Sequence, residues 1–357
     1  AGGGGGSGWQ NGTLDLDGNL TIAANGTLSA PRGTINYAGT ALESTGTFTH
    51  NNGTVLFDNG ADVAQVLQDS ASGTLAFYNL THNRAGSAYH MYIKGDITVE
   101  NILLNQTGMV NLYGPNTLTL GTTSSAATCT WTSSGLRFHS NTSGNASKIH
   151  GVSSLYPALQ QSNDWDWDSY TDGYIEIKNL NFDPDVVTNT GNLNIKLTGD
   201  CEFDAFTVSG GDTLDLNAQR MECSGNFTAS SGSCNVDFGA GMLIAPRINI
   251  DSGTYTGEAG ASFIVTGSSG GENMSFNDST FTGDSTTNIL INNGTTSCDW
   301  NNSGHYAGNI IVGTGTYRSI NGTNNKCGNL TVATGGTLDG SDDTLTLSGD
   351  FTTSGGL

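Results

Sequence analysis

The sequence predicts an all-β fold: a parallel β-helix, or β-solenoid, of roughly 20-residue coils, right-handed by the default of parallel crossovers. Three observations lead there. Gly, Ser, Thr and Asn make up 171 of the 357 residues and charged residues only 12%, a balance poor in the Glu and Lys that build helices. Apolar and polar residues alternate in short runs, as in Leu14-Asp15-Leu16, Leu20-Thr21-Ile22, Ile175-Glu176-Ile177 and Leu345-Thr346-Leu347. The runs also recur at a spacing near one coil.

The recurrence has a signature: Gly, then Asn or Asp, then an apolar residue. It begins at Gly18, Gly95, Gly191, Gly225, Gly308, Gly328 and Gly349, the last three 20 and 21 residues apart. Residues 14–21, 221–228 and 345–352 are three copies of a longer pattern, and Ala30-Pro31-Arg32 recurs as Ala245-Pro246-Arg247. In a coil of this length, Leu, Ile, Val and Phe stack inward, while Gly and Asn take corners where bulk is excluded or φ is positive. Thr and Ser then cover the outer strand faces. The competing architecture is a string of antiparallel β-sandwiches, because Asn-Gly, present at Asn11, Asn25, Asn52, Asn59, Asn293 and Asn321, is a strong hairpin signal.

Composition excludes several classes. Only 5 Pro occur, too few for collagen, and the regularly spaced β-branched and aromatic residues exclude disorder. The net charge of −21 repels phosphate, so nucleic acid is not an expected partner. No apolar run approaches the ~18 residues of a membrane span. The lack of an initiating Met and of a secretory signal reads as a processed product or a fragment.

Within residues 77–123, the Phe77-Tyr78-Asn79-Leu80-Thr81 strand, the Gly95-Asp96-Ile97-Thr98-Val99 strand and the Leu118-Thr119-Leu120-Gly121 close resemble the degenerate repeats of large secreted β-helical proteins. Such repeats occur in bacterial surface adhesins and in phage or virion fibres. The resemblance implies an elongated extracellular scaffold and carries no shared catalytic residues. In weaker form it covers about two thirds of the chain. Accordingly, residues 1–8 read as a Gly-rich arm or linker, 9–123 and 181–357 as solenoid coils, and 124–180 as an irregular or inserted segment.

That segment holds the most chemically suggestive residues. Asp164, Asp166, Asp168 and Asp172 fall at positions 1, 3, 5 and 9 of a calcium loop, but Ser169 stands where Gly is needed and Ile175 where Glu is needed. The interleaved Trp165, Trp167 and Tyr170 suit stacking on a sugar ring, with the aspartates accepting from its hydroxyls. A polysaccharide-processing enzyme would draw on Asp183 with Asp185, or Asp200 with Asp204. Six His show no partner spacing, and acids are scattered over the whole chain, so the enzyme is the weakest reading.

Six cysteines occur, without CxxC. Cys201 and Cys223 are 22 residues apart, close to one coil, a spacing that allows a disulfide; stacked core thiols are the alternative. Fifteen Asn-x-Ser/Thr acceptors stand at Asn11, Asn19, Asn25, Asn52, Asn79, Asn105, Asn141, Asn145, Asn226, Asn273, Asn277, Asn293, Asn301, Asn321 and Asn329. The turn pattern Asn-Gly-Thr generates many of them.

The functional expectation is a structural subunit of an extracellular fibre, surface filament or phage appendage, placed at a cell surface or virion, that assembles with itself. Residues 345–356 resemble 14–25 and stop without a polar cap, which invites strand addition into a filament or trimeric fibre. The alternatives are an adhesin module binding host-surface glycans or a receptor, and the enzyme above. No cofactor is called for beyond calcium at the acidic segment.

Overall fold

A computed structural model describes residues 11–58, 64–69, 73–83, 90–106, 108–131, 136–140, 146–152, 158–161, 166–169, 174–187, 194–230, 232–267, 272–282, 288–291, 294–299, 307–320, 325–339 and 345–354. Among them the secondary structure is β-strand alone, and the chain divides into two compact units, Ala1–Asp183 and Pro184–Leu357. The ladder pairings are parallel; one isolated antiparallel bridge joins Thr122 to Ser125. The β-solenoid is therefore the fold. The sandwich alternative fails because the strands flanking Asn51-Asn52, Thr47–Thr49 and Thr54–Phe57, pair with other coils and not with each other. Asn51 and Asn52 take positive φ of 49° and 62° to turn a corner, not to close a hairpin.

In the first unit each coil contributes strands to three stacks. One runs through Leu14–Leu16, Thr34–Tyr37, Thr54–Phe57, residues 79–82, residues 102–105, Thr128–Trp131 and Ala158–Gln161. A second runs through Leu20–Ile22, Ala41–Ser44, Gln65–Leu67, Met91–Ile93, Val110–Tyr113, Leu136–Ser140 and Asp166–Ser169. The third pairs Thr27–Ser29 with Thr47–Thr49, and residues 75–77 with 97–99, Thr117–Leu120, Ala146–Gly151 and Tyr174–Lys178. Phe48 and Phe77, with ring centroids 5.8 Å apart, link the two parts of that third stack.

Coil length is less regular than 20 residues. Along the first stack, register partners are 21 residues apart at Leu14/Ile35 but 26 at Ile102/Thr128 and 30 at Thr128/Ala158. Within segment 124–180 the described strands keep the ladder register. Pairing is set by each strand's inward face, so a connection can lengthen without shifting the rung.

In the second unit one stack runs from residues 201–203 through Arg220–Cys223, Met242–Ala245, Ser262–Val265, Asn288–Ile291, residues 309–312 and residues 329–332 to Phe351–Thr353. Its inward positions form two buried columns. Cys201, Met221, Leu243, Phe263, Ile289, Ile310 and Leu330 fill one; Phe203, Cys223, Ala245, Val265, Ile291, Val312 and Val332 fill the other. Aromatic packing thickens this core: Phe206 stacks on Phe227 at 6.3 Å and 9°, and Phe238 meets Phe263 edge-on at 4.7 Å. Each buried aliphatic or aromatic side chain contributes roughly 1.5–3 kcal/mol.

The two columns also correct the disulfide expectation. Cys201 pairs in register with Met221, and Cys223 with Phe203. The cysteines are therefore diagonal neighbours, whose Cα atoms in a sheet lie about 7–8 Å apart, beyond the usual disulfide span. Both are buried thiols, and the Cys201 thiol lies 3.4 Å from the Gly199 carbonyl oxygen as its donor.

The recurrent signature acquires a physical meaning. At Asn19, Asp96 and Asn329 its side chain accepts a backbone N–H from the next coil. Asn19 Oδ1 takes the amides of Thr40 and Ala41 at 2.9 and 3.0 Å, Asp96 Oδ1 that of Thr117 at 2.9 Å, and Asn329 Oδ1 that of Asp350 at 2.8 Å. Asp200, after Gly199, takes that of Arg220 at 2.8 Å. Across Asn288, Asn309 and Asn329 the amides also bond to one another, each Nδ2 donating to the preceding Oδ1 at 2.8 Å. At Gly95 and Gly349 the signature glycine serves close approach and not a left-handed φ, whereas a Cβ at Gly18 would meet nothing within 4 Å. A Cβ at Gly349 would meet Asn329 Oδ1 at 2.2 Å, and one at Gly95 would meet Gln68 Cβ at 2.3 Å, while neither backbone is left-handed.

Polar groups also enter the first unit's core. Gln68, buried, accepts the Ser44 N–H at Oε1 (2.6 Å) and donates from Nε2 to the carbonyls of Ser44 (3.1 Å) and Gly73 (2.8 Å). Gln65 donates to the carbonyls of Tyr37 and Gly39 at 3.2 and 3.1 Å. His82 and Asn105, both buried, meet at 2.7 Å between Nδ1 and Oδ1. Because Asn105 Nδ2 donates to Gly108, its oxygen is the acceptor, and His82 Nδ1 carries the proton.

Candidate functional site

Outward-facing side chains of the ladders are the surface on which chemistry can occur. For the acidic segment, Asp164, Trp165, Tyr170 and Asp172 lie outside the described residues. Asp166, Trp167 and Asp168 fall in strand Asp166–Ser169, in register with Arg137, Phe138 and His139. The side chains of Asp166, Trp167 and Asp168 are outside the described residues. A calcium loop curls its ligands around one ion. An extended strand instead spaces alternate residues about 6.6 Å apart. Among the described residues no group of three or more His, Cys, Asp or Glu side chains is placed to hold a metal.

The carboxylate pairs resolve differently. Asp200 receives the Arg220 amide, and Asp204 Oδ1 receives the Ser224 hydroxyl at 2.7 Å. Each is thus a coil-to-coil tie. Asp183 and Asp185 lie in strand Leu180–Val187, and their side chains are outside the described residues. Arg220 lies between Glu202 and Glu222, which balance its charge.

The glycosylation acceptors separate by accessibility. Asn105 is 0% exposed and bonded to His82 and Gly108; no glycan fits there, which corrects that position. The amides of Asn79 and Asn329 are engaged in the ladder, Asn79 Nδ2 donating to Thr54 Oγ1 at 3.2 Å and Asn329 Nδ2 to Asn309. Asn19 is exposed, with its oxygen tied to the next coil, and Asn11, Asn25, Asn52 and Asn226 are exposed. The side chains of Asn141, Asn145, Asn273, Asn277, Asn293, Asn301 and Asn321 are outside the described residues.

Two outward clusters were not singled out in the sequence. In the third stack of the first unit, His150 Nε2 lies 2.8 Å from Glu176 Oε1. Burial pushes the His150 imidazole below its ordinary value. Glu176 opposes that shift, and the nearby Lys178 and Lys148 reinforce it. The unfolded chain therefore binds this proton more readily than the folded one, and the associated stability, full above about pH 6.5, is lost as pH falls through the folded value. Between pH 7.5 and 5.5 the wild type should lose more stability than His150→Gln in urea titrations; equal losses would remove His150 from the account.

The second cluster lies on the second stack, where Tyr92 and Tyr113 face outward on adjacent rungs beside His90 and Lys94. Its signal was present. Tyr92 sits at the polar position of the alternating run Met91-Tyr92-Ile93. No protein-family model, no curated protein and no solved structure matches the chain.

Proposed function

We propose that the protein is a structural subunit of an extracellular fibre, surface filament or phage appendage that self-assembles through its β-solenoid. One observation carries this reading. Residues that recur along the chain join one coil to the next: the signature residues Asn19, Asp96 and Asn329, and Asp200 after Gly199, each accept an amide some 20 residues on. Repetition devoted to stacking is what a scaffold requires, since each coil is stabilised only by its neighbours. The net charge of −21 keeps such scaffolds dispersed, and scarce charged residues with abundant Thr, Ser and Asn suit an exposed extracellular surface.

Edge strands that present unpaired N–H and C=O groups pair readily with further strands. Sedimentation velocity over a hundredfold concentration range should reveal species larger than the monomer. A single monomeric boundary at the highest concentration would overturn the reading. A second reading, a glycan-binding adhesin, is favoured by the Tyr92 and Tyr113 face.

A further inference from the structure

The outer face of the first unit's second stack carries an aromatic cluster that contributes nothing to the core columns. Tyr92 lies between the buried Met91 and Ile93, and Tyr113 follows the buried Leu112 on the next rung. Tyr92 is in register with Asn111, so the two rings sit diagonally across adjacent rungs, with centroids 5.8 Å apart and planes at 48°. His90 meets Tyr92 edge-on at 6.1 Å and 75°. Lys94 Nζ stands 5.7 Å from the centre of the Tyr113 ring and 3.0 Å from Asp69 Oδ1. Tyr92, Tyr113 and Lys94 are partly exposed, and Asp69 is exposed.

The geometry points to a carbohydrate-binding face on which neutral pyranose units stack against Tyr92 and Tyr113 while Lys94 and Asp69 bond to their hydroxyls. A pyranose presents an apolar C–H face and a polar edge. Aromatic rings receive the first, and a donor and an acceptor set side by side receive the second. Contact between the two rings, and between Lys94 and Tyr113, holds the surface in shape before a ligand arrives, which lowers the ordering cost of binding.

Charge selects among sugars. Lys94 is balanced by Asp69, and the chain carries −21 overall, so an anionic polysaccharide is repelled and a neutral glycan is not. A proline-rich peptide also stacks on tyrosine, but it would leave the Lys94–Asp69 pair without a role. The site lies on a lateral sheet face, so binding here and self-association through strand edges stand or fall separately.

The test titrates the whole chain calorimetrically with β-1,4-linked hexasaccharides of glucose, xylose and N-acetylglucosamine. At least one should bind. The double variant Tyr92→Ala/Tyr113→Ala should weaken that binding by about tenfold or more, and Tyr92→Phe/Tyr113→Phe should stay within about threefold, because the ring faces persist. Failure of all three sugars to bind overturns the proposal, as does unchanged affinity in the alanine variant at an unaltered unfolding midpoint. So does binding of a proline decapeptide in place of any sugar. Should the alanine variant fold poorly, Lys94→Ala/Asp69→Ala reads the polar half of the site, and undiminished sugar affinity there is equally adverse.

Discussion

Replacing Gln68 with leucine is expected to destabilise the protein by about 3 kcal/mol. The side-chain amide of Gln68 behaves as a peptide group inserted into the ladder: it accepts from the Ser44 N–H and donates to the Ser44 and Gly73 carbonyls. Gln68 holds a positive φ of 59°, so its own backbone has left the strand geometry there. Leucine preserves the volume but strands one donor and two acceptors, with Ser44 itself buried. Each unsatisfied buried group costs about 1–3 kcal/mol, less what water can recover at Gly73. Gln68→Glu should be no better, since it keeps an acceptor, loses both donations and buries a charge. Hydrogen exchange followed residue by residue reads the effect directly. The Ser44 amide should exchange about a hundredfold faster in Gln68→Leu, with the second unit unchanged, because coils couple chiefly to their neighbours. Unaltered protection at Ser44 would refute the role assigned to the amide.

The second large effect is chemical. The native thiols of Cys129, Cys201, Cys223, Cys234 and Cys327 are buried. Burial pushes Cys223 up to about 12, with Asp204 adding to it, and Cys327 up to about 11; Cys129 is raised by burial as well. Only the thiolate attacks an electrophile. At pH 8 the Cys223 thiolate is therefore about a thousandfold scarcer than in an unfolded chain, before access is considered. Maleimide labelling followed by peptide mass analysis should leave these five positions unmodified in the native protein and modify them all in urea. Reductant should not lower stability. Native labelling of Cys223 at the unfolded rate, or a loss of stability on reduction, would contradict the buried-thiol arrangement.

Much of the architecture was legible because its determinants are local. Alternation in Leu14-Asp15-Leu16 or Ile175-Glu176-Ile177 reports a strand with one buried face, and repetition of Gly-Asn-apolar reports coil spacing. What escaped depends on register between coils, which local pattern does not encode. Cys201 and Cys223 are one coil apart by count, yet that coil is 20 residues long, and two extra residues move a side chain to the neighbouring column. Asn-Gly announced hairpins because a corner and a hairpin ask the same φ of Asn52. Gln65 and Gln68 could not be read as core residues, since amides enter a core only where backbone groups of another coil stand unpaired. The tyrosine face was visible only in part. Tyr92 broke the alternation, but its nearness to Tyr113 follows from the stacking of rungs.

The coil-to-coil ties have a mechanical corollary. In each unit the backbone ladders and the Asn and Asp ties all point along the direction of stacking. A pull along that direction meets them in series, one rung at a time, so a unit yields by shedding single coils at modest force. A sideways load meets many at once, and the covalent chain winds around the stack like a hoop. Such a unit resists crushing and extends lengthwise, and a coil that peels away finds its binding partner still in place when the load is released.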